Sequence, residues 1–260
     1  MTAPTFLLLA ATALAGSNRE RAGYMTFGRD VAPGLLVNMT AGARPFDPPD
    51  RSRPTLVFVQ GANAAPSVFR LTMADHFAAV VARREGNRCN VLTWSWGAAS
   101  VKELQPTGNH EVAVIQGQRL AAAIMGAGLS AQRLQMIGQS SGCIIAAAAS
   151  RVLCDSTGLR LERLTLLDPA AFYHDIVFER MAVETSAQRV EHYWAPGPSG
   201  FSKPVNRAGV WDVRVDVPSP LIGLVSMPRS AHWGVVRWYI GTVEHPSLPY
   251  GYKGMPSGRE

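Results

Sequence analysis

The stretch with the clearest chemical potential is GQSSG at positions 138–142, between an apolar run and a run of small residues. A serine with glycines two positions before and after it is typical of a sharp strand-to-helix turn that exposes a nucleophilic hydroxyl. Ser140 has glycines at both positions, whereas Ser141 has glutamine and cysteine there. We therefore expect Ser140 to be the nucleophile, with Gly138, Gln139 and Gly142 shaping the turn. A plain tight turn into a buried helix is the alternative.

A serine hydroxyl needs a base to remove its proton and an acid to orient that base. In a sheet with this turn, the chain order is serine, acid, histidine. Asp168 follows directly on the apolar run LTLL, so it should lie at the carboxyl edge of the next strand. A turn before Pro169 is the alternative reading. Asp212 and Asp216 are later rivals, and Asp216 alternates with apolar residues, which favours an exposed side chain.

Of the six histidines, His232 has the position that this chain order requires for the base. It follows the last predicted strand and a loop, and it begins the final predicted helix. The others precede the serine, lie too close to Asp168, lie within a strand or belong to the tail: His76, His110, His174, His192 and His245.

Acyl transfer also needs two backbone N–H groups that stabilise the oxyanion of the tetrahedral intermediate. The residue after the nucleophile, Ser141, should supply one. The loop after the first central strand, FVQGANAAP, should supply the other from Ala62. Gln60 and Gly61 precede this donor, and the glycine allows close approach of the two loops. A plain turn is the alternative for this stretch.

Apolar β-rich runs alternate with helical patterns from residue 55 onward, which predicts a mostly parallel sheet with helices on both faces. The predicted strands span residues 55–60, 90–96, 134–137, 161–167, 190–194 and 213–217. The predicted helices span residues 65–84, 111–125, 141–154, 176–188 and 233–243. This pattern indicates an α/β protein.

The 260 residues, 47% apolar and 17% charged, suffice for one large domain. We expect an N-terminal arm or edge strands at residues 16–54, a catalytic domain at 55–244 and a loosely ordered tail at 245–260. Residues 1–15 contain an apolar run and end in Ala-Leu-Ala, which predicts a signal peptide and a secreted or periplasmic protein. An apolar N-terminal strand or helix, and a cytoplasmic protein, is the alternative.

The net charge is +6, but the arginines are scattered and no nucleic-acid motif is present. A basic surface could make transient contact with anionic lipid.

The three cysteines do not form a disulfide framework, and buried thiols are the first interpretation, with a Cys89–Cys154 pair as the alternative. The sequence has neither a His-Glu-x-x-His motif nor a Cys or His cluster at ligand spacing. We therefore expect no metal in the chemistry.

The succession VFVQGA, NVLTWSWGA, LQMIGQSSG, LTLLDPA, VEHYWA and SAHWGVVRWY resembles the catalytic domain of the pancreatic-lipase-type α/β hydrolases over residues 55–244. The most specific element is the LDPA stretch, one strand after the serine. The resemblance implies an α/β-hydrolase fold and a serine esterase that acts on lipid or other carboxylic esters without a cofactor. It matches Ser140 as nucleophile, Asp168 as acid and His232 as base, with Ala62 and Ser141 as oxyanion donors.

Two departures from that family stand at the predicted site. The family usually has His-Gly at the oxyanion loop and Gly-His-Ser at the turn, where this chain has Gln60-Gly61 and Gln139-Ser140. Residues 195–229 could form a cover over the site or a long connection. Acyl transfer, amide or thioester hydrolysis with the same residues, and non-catalytic lipid binding, are the functional alternatives.

Overall fold

The computed structural model describes residues 31–61, 68–96, 110–196, 202–217, 229–245 and 250–253. Within them lies a seven-stranded sheet in the order β1-β3-β2-β4-β5-β6-β7. The strands are β1 (Leu35–Asn38), β2 (Thr55–Val59), β3 (Asn90–Ser95), β4 (Leu134–Gln139), β5 (Leu161–Leu167), β6 (Ala187–Trp194) and β7 (Val210–Arg214). Edge strand β1 is antiparallel to β3, and every other pair is parallel.

Five α-helices accompany these strands in the described residues: α1 (Val68–Glu85), α2 (His110–Gly126), α3 (Gly142–Thr157), α4 (Val183–Ser186) and α5 (Arg229–Glu244). Short 3₁₀ turns occur at Ala131–Arg133 and Ala171–Tyr173, and a π-helical turn occurs at Asp175–Arg180. Strands and long helices alternate along the chain, so the predicted α/β-hydrolase fold is confirmed.

The two faces of the sheet have separate cores because successive strand residues point to opposite sides. In β2, Val57 and Val59 pack with residues of α2 and α3. Leu56 and Phe58 pack with residues of α1 and α5 on the other face, where the rings of Phe58 and Phe77 stack at 5.3 Å. Burial on both faces explains why the central strands read as continuous apolar runs.

Helix α3 follows the GQSSG turn and is buried along most of its length. Its four consecutive alanines let α2 approach closely, and a Cβ at Gly117 of α2 would lie 2.6 Å from Ala148 Cβ and 2.6 Å from the Ile145 carbonyl oxygen. Dispersion contacts at this short separation hold α3 between α2 and the sheet. The N-terminus of α3 is thereby fixed at the carboxyl edge of β4.

Three predicted elements differ most from the observed ones. The helix predicted at 176–188 is divided, because Ala182 takes a left-handed conformation (φ 44°) between the π-helical turn and α4. The strand that follows then begins at Ala187 rather than 190. The last strand lies at Val210–Arg214 rather than 213–217, where Trp211 pairs with Glu191 of β6.

The prediction of a loosely ordered tail is wrong for residues 250–253. Tyr252 is fully buried, and its hydroxyl donates a hydrogen bond to Glu85 Oε1 at 3.1 Å. The Gly251 N–H donates to the Tyr193 hydroxyl at 2.8 Å. An aromatic ring with a satisfied hydroxyl buries enough apolar area to fix a short segment, which the Pro and Gly composition of the tail did not indicate.

The three cysteines are free; Cys89 and Cys143 are buried and Cys154 is half-buried. The alternative Cys89–Cys154 disulfide is therefore wrong. Burial raises the pKa of the Cys89 thiol to about 12.

Among the helices described, none combines the length and the hydropathy that crossing a membrane requires. The predicted signal peptide at 1–15 lies outside the described residues.

Candidate active site

Ser140 lies in a sharp turn between the end of β4 and the start of α3. Its φ of 55° is a left-handed conformation that a side chain other than glycine rarely adopts. The turn is held by neighbouring backbone, because Ser140 N–H donates to the Leu167 carbonyl at 3.0 Å and Cys143 N–H donates to the Ser140 carbonyl at 2.9 Å. The hydroxyl-bearing residue therefore stands at the carboxyl edge of the sheet, next to the end of β5.

The flanking glycines are there because backbone occupies the space that a side chain would need. A Cβ at Gly138 would lie 2.6 Å from the Gly142 carbonyl oxygen and 2.7 Å from Cys143 Cα. A Cβ at Gly142 would overlap the Val59 carbonyl oxygen at the end of β2. These contacts supply the physical reason for glycine on both sides of Ser140.

Asp168 directly follows β5 and is almost fully buried. Its φ is 50°, and its N–H donates to the Tyr193 carbonyl at 2.7 Å. Its Oδ1 accepts a hydrogen bond from Ala195 N–H at 3.0 Å, and its Oδ2 lies 2.7 Å from His232 Nδ1. Both carboxylate oxygens thus have a hydrogen-bond partner, and the partner of Oδ2 is the imidazole.

His232 lies in the first turn of α5, at the same edge of the sheet, and is buried. Its other ring nitrogen, Nε2, lies 2.8 Å from Gln139 Nε2. Since Gln139 Oε1 accepts from Gly61 N–H at 2.9 Å, the amide nitrogen is the end that faces the ring. The hydrogen-bond network therefore assigns the Nδ1–H tautomer, with the proton directed to Asp168.

The predicted oxyanion loop begins beside the nucleophile. A Cβ at Gly61 would lie 2.7 Å from Ser140 Cβ, so only glycine permits this approach. Ala62, the predicted donor, lies outside the described residues. Ser141, the other predicted donor, is fully buried immediately before α3. Gln60 supports the loop through its backbone, since its carbonyl accepts from Trp96 Nε1–H at 2.9 Å.

A second His–Asp pair, which the sequence did not indicate, links β6 and β7. His192 Nδ1 lies 2.9 Å from Asp212 Oδ1, and Asp212 Oδ2 accepts from Val205 N–H and Asn206 N–H at 2.6 and 3.0 Å. Burial acts to raise the pKa of Asp212, but the hydrogen bonds from His192 and from the backbone N–H groups hold it below its ordinary value. His192 is fully buried, so this pair fixes a loop to the sheet.

A polar cavity of about 530 Å³ lies beside this second pair and is lined by residues that include His174, Phe178, Lys203 and Asn206. Burial, together with the neighbouring His192 and Lys203, lowers the pKa of His174 to about 4. The ring centroids of the two histidines are 5.6 Å apart. Within the described ranges, no three His, Cys, Asp or Glu side chains are arranged to hold a metal ion.

No protein-family model and no curated protein matches the chain. Solved structures match at low identity. An esterase from Pyrobaculum calidifontis is 11% identical, over 95% of this chain and 99% of that chain, with a TM-score of 0.41. A structure from a study of two fungal esterases from Rhizomucor miehei is 12% identical, over 92% and 94% of the two chains, with a TM-score of 0.44.

An ester hydrolase from the metagenome of Lake Arreo is 18% identical over 63% of this chain, with a TM-score of 0.32. The matched region spans only 57% of that protein. The fold itself is assigned from the chain's own strand order and from the turn that carries Ser140.

Proposed function

We propose that this chain is a serine hydrolase that cleaves carboxylic esters through an acyl-enzyme on Ser140. The observation that carries the proposal is the 2.7 Å contact between His232 Nδ1 and Asp168 Oδ2, at the sheet edge where Ser140 stands in a left-handed turn. A buried carboxylate that fixes the Nδ1–H tautomer leaves Nε2 of the ring as a base. The ester substrate class is drawn from the sequence resemblance to the pancreatic-lipase-type α/β hydrolases.

In the acylation step, His232 Nε2 removes the proton of the Ser140 hydroxyl while the serine oxygen attacks the ester carbonyl carbon. The negative charge on the carbonyl oxygen is stabilised by the N–H of Ser141, beside the N-terminus of α3, and by the N–H of Ala62. The protonated imidazole, held by the Asp168 carboxylate, then donates its proton to the leaving alkoxide. The alcohol departs, and the acyl group remains bonded to the serine oxygen.

In the deacylation step, His232 removes a proton from water, and the resulting hydroxide attacks the acyl carbonyl. The bond to the Ser140 oxygen breaks, the serine recovers its proton from the imidazole, and the carboxylic acid leaves. No step requires a redox change or a group other than water. These residues would also serve thioesters, amides or transfer to another alcohol.

The test is hydrolysis of nitrophenyl esters of graded acyl chain length by the wild type and by Ser140→Ala. We expect the variant to lose about 10³-fold or more in kcat, because without the nucleophile only binding and oxyanion stabilisation remain. Ser130→Ala is the matched control, since Ser130 is exposed and its side chain makes no capping hydrogen bond. Equal rates for the wild type and Ser140→Ala would rule out the proposed function.

A further inference from the structure

We propose that Gln139 is a positioning residue, whose single amide aligns the oxyanion loop with the base and directs an N–H at Nε2 of that base. This inference rests on the proposed serine hydrolysis and adds a residue that the Ser, Asp and His roles do not include. Three groups meet at this side chain: the Gly61 backbone, the His232 ring and, one position along the chain, Ser140.

The amide makes two hydrogen bonds with opposite roles. Oε1 accepts from Gly61 N–H at 2.9 Å, and Nε2 lies 2.8 Å from His232 Nε2. Gln139 is almost fully buried, so neither contact is readily exchanged for water. Rotating the amide by 180° would set its N–H₂ group against the Gly61 N–H. The contact to the oxyanion loop therefore fixes which end of the amide meets the ring.

The donor end of the amide suits only one protonation state of the ring. A neutral imidazole with its proton on Nδ1 presents a lone pair at Nε2, which the Gln139 N–H can approach. A protonated ring presents an N–H there, and two donors would face each other. The Gln139 contact therefore fits the same Nδ1–H tautomer that the contact with Asp168 selects.

The same contact occupies the lone pair that must receive the serine proton. In the described part of the chain, the hydrogen bonds of His232 do not include one from the Ser140 hydroxyl. Because Nε2 has one lone pair, the ring must exchange the amide for the hydroxyl when substrate binds. The hydrogen bond from Gly61 N–H to Gln139 Oε1 keeps the displaced amide beside the oxyanion loop during this exchange.

The chain contains a matched control for this residue. Gln135 lies four positions earlier on β4 and hence on the same face of the strand. It is equally buried, and its Nε2 also reaches α5, where it donates to the Tyr239 hydroxyl at 3.1 Å. Gln135 and Gln139 therefore make comparable contacts between the same strand and the same helix, but only Gln139 contacts the base.

The experiment compares Gln139→Met, Gln139→Glu and Gln135→Met by steady-state kinetics and by ¹⁵N NMR of the imidazole of His232. Methionine keeps the volume and removes both hydrogen bonds. We expect Gln139→Met to lower kcat about tenfold with KM within about twofold, and to shift the Nε2 resonance, since orientation acts on the transition state. We expect Gln135→Met to change neither kcat nor the resonance.

The Gln139→Glu variant tests whether residue 139 must donate a hydrogen bond to His232 Nε2. Its result is independent of whether Gln139→Met folds. A carboxylate can accept from Gly61 N–H but has no proton for the ring, so it favours the imidazolium. We expect Gln139→Glu to lose about 100-fold in kcat at pH 7 and to recover activity at higher pH. Asp168 is the ionisable group bonded to the ring, and the nearby Cys143 thiol stays neutral because burial raises its pKa.

The inference is overturned if Gln139→Met leaves kcat and the Nε2 resonance unchanged, or if it lowers kcat without moving that resonance. It is also overturned if Gln139→Glu retains wild-type activity at pH 7. Failure of the proposed function looks different: the wild type then hydrolyses esters no faster than Ser140→Ala, while the NMR comparison of Gln139→Met and Gln135→Met still reports on the hydrogen bond.

Discussion

His232 Nδ1 lies 2.7 Å from Asp168 Oδ2, although 64 positions separate the two residues along the chain. The contact joins the end of β5 to the first turn of α5, and both side chains are buried. A short hydrogen bond to a carboxylate fixes both the tautomer and the orientation of an imidazole. Under the proposed function, this pair determines whether the ring can act as the base for Ser140.

Replacing Asp168 with asparagine should abolish most activity without unfolding the protein. The amide can donate to Nδ1 and so favours the wrong tautomer, which costs about 10⁴-fold in kcat in enzymes with this arrangement. Asp212→Asn makes the same change in the second His–Asp pair and should leave kcat within about twofold. Ester hydrolysis by the two variants is the measurement. If Asp212→Asn lost activity and Asp168→Asn retained it, the acid would be Asp212 and the assignment of Asp168 would be wrong.

The second pair should contribute to stability in a pH-dependent way. Folding lowers the pKa of Asp212 from 3.8, so its stabilisation is fully present above that value and is lost as pH falls through the lower pKa of the folded state. We expect Asp212→Asn to lower the free energy of unfolding by about 1–3 kcal/mol at pH 7, and the difference to shrink below pH 4. Urea unfolding at pH 7 and pH 3 measures both values. A difference that grows on acidification would contradict this assignment.

The two His–Asp pairs show what could be read from the sequence. Ser140 and Asp168 follow strands whose apolar runs are unmistakable, and parallel strands bring their carboxyl ends to one edge. His192 and Asp212 became neighbours only because β7 lies three residues earlier than predicted and pairs with β6. That register depends on an edge strand with weak alternation, so no local pattern could place the two side chains together.

Two other features could not be predicted from the sequence. The left-handed Ala182 interrupts the helix predicted at 176–188, and alanine gives no sequence signal for such a conformation. The role of Gln139 depends on which way its side chain points across the turn. Its neighbours in space, Gly61 and His232, are 78 and 93 positions away along the chain. The residue types alone indicated only that a polar group replaces the family's histidine.

Gly142 should tolerate no side chain. A Cβ there meets the carbonyl oxygens of Val59 and Gln60, and backbone atoms cannot move as a flexible side chain can. We expect Gly142→Ala to lower the free energy of unfolding by about 1–3 kcal/mol and to reduce activity. Gly241→Ala is the control, because a Cβ there meets nothing within 4 Å. Alanine should stabilise the interior of α5 by about 0.5–1 kcal/mol relative to glycine. Thermal unfolding with the reverse ranking would contradict the packing argument.

The segment 250–253 should contribute to stability through Tyr252. Tyr252→Ala leaves a cavity between Glu85 and Thr242, whose side-chain oxygens bond to Tyr252, and should cost about 3–5 kcal/mol. Tyr250→Ala removes a ring that is 41% exposed and should cost less than about 1 kcal/mol. Chemical denaturation of both variants makes the comparison. Similar losses for the two tyrosines would show that the buried ring does not anchor the segment.

Covalent labelling by a fluorophosphonate tests most directly whether Ser140 is the nucleophile. The modified residue is located by tandem mass spectrometry. The reagent captures a serine whose hydroxyl is activated by a neighbouring base. We expect one adduct, on Ser140, that disappears in Ser140→Ala and forms far more slowly in Asp168→Asn. An adduct on a different residue, or no adduct on the folded wild-type protein, would contradict it.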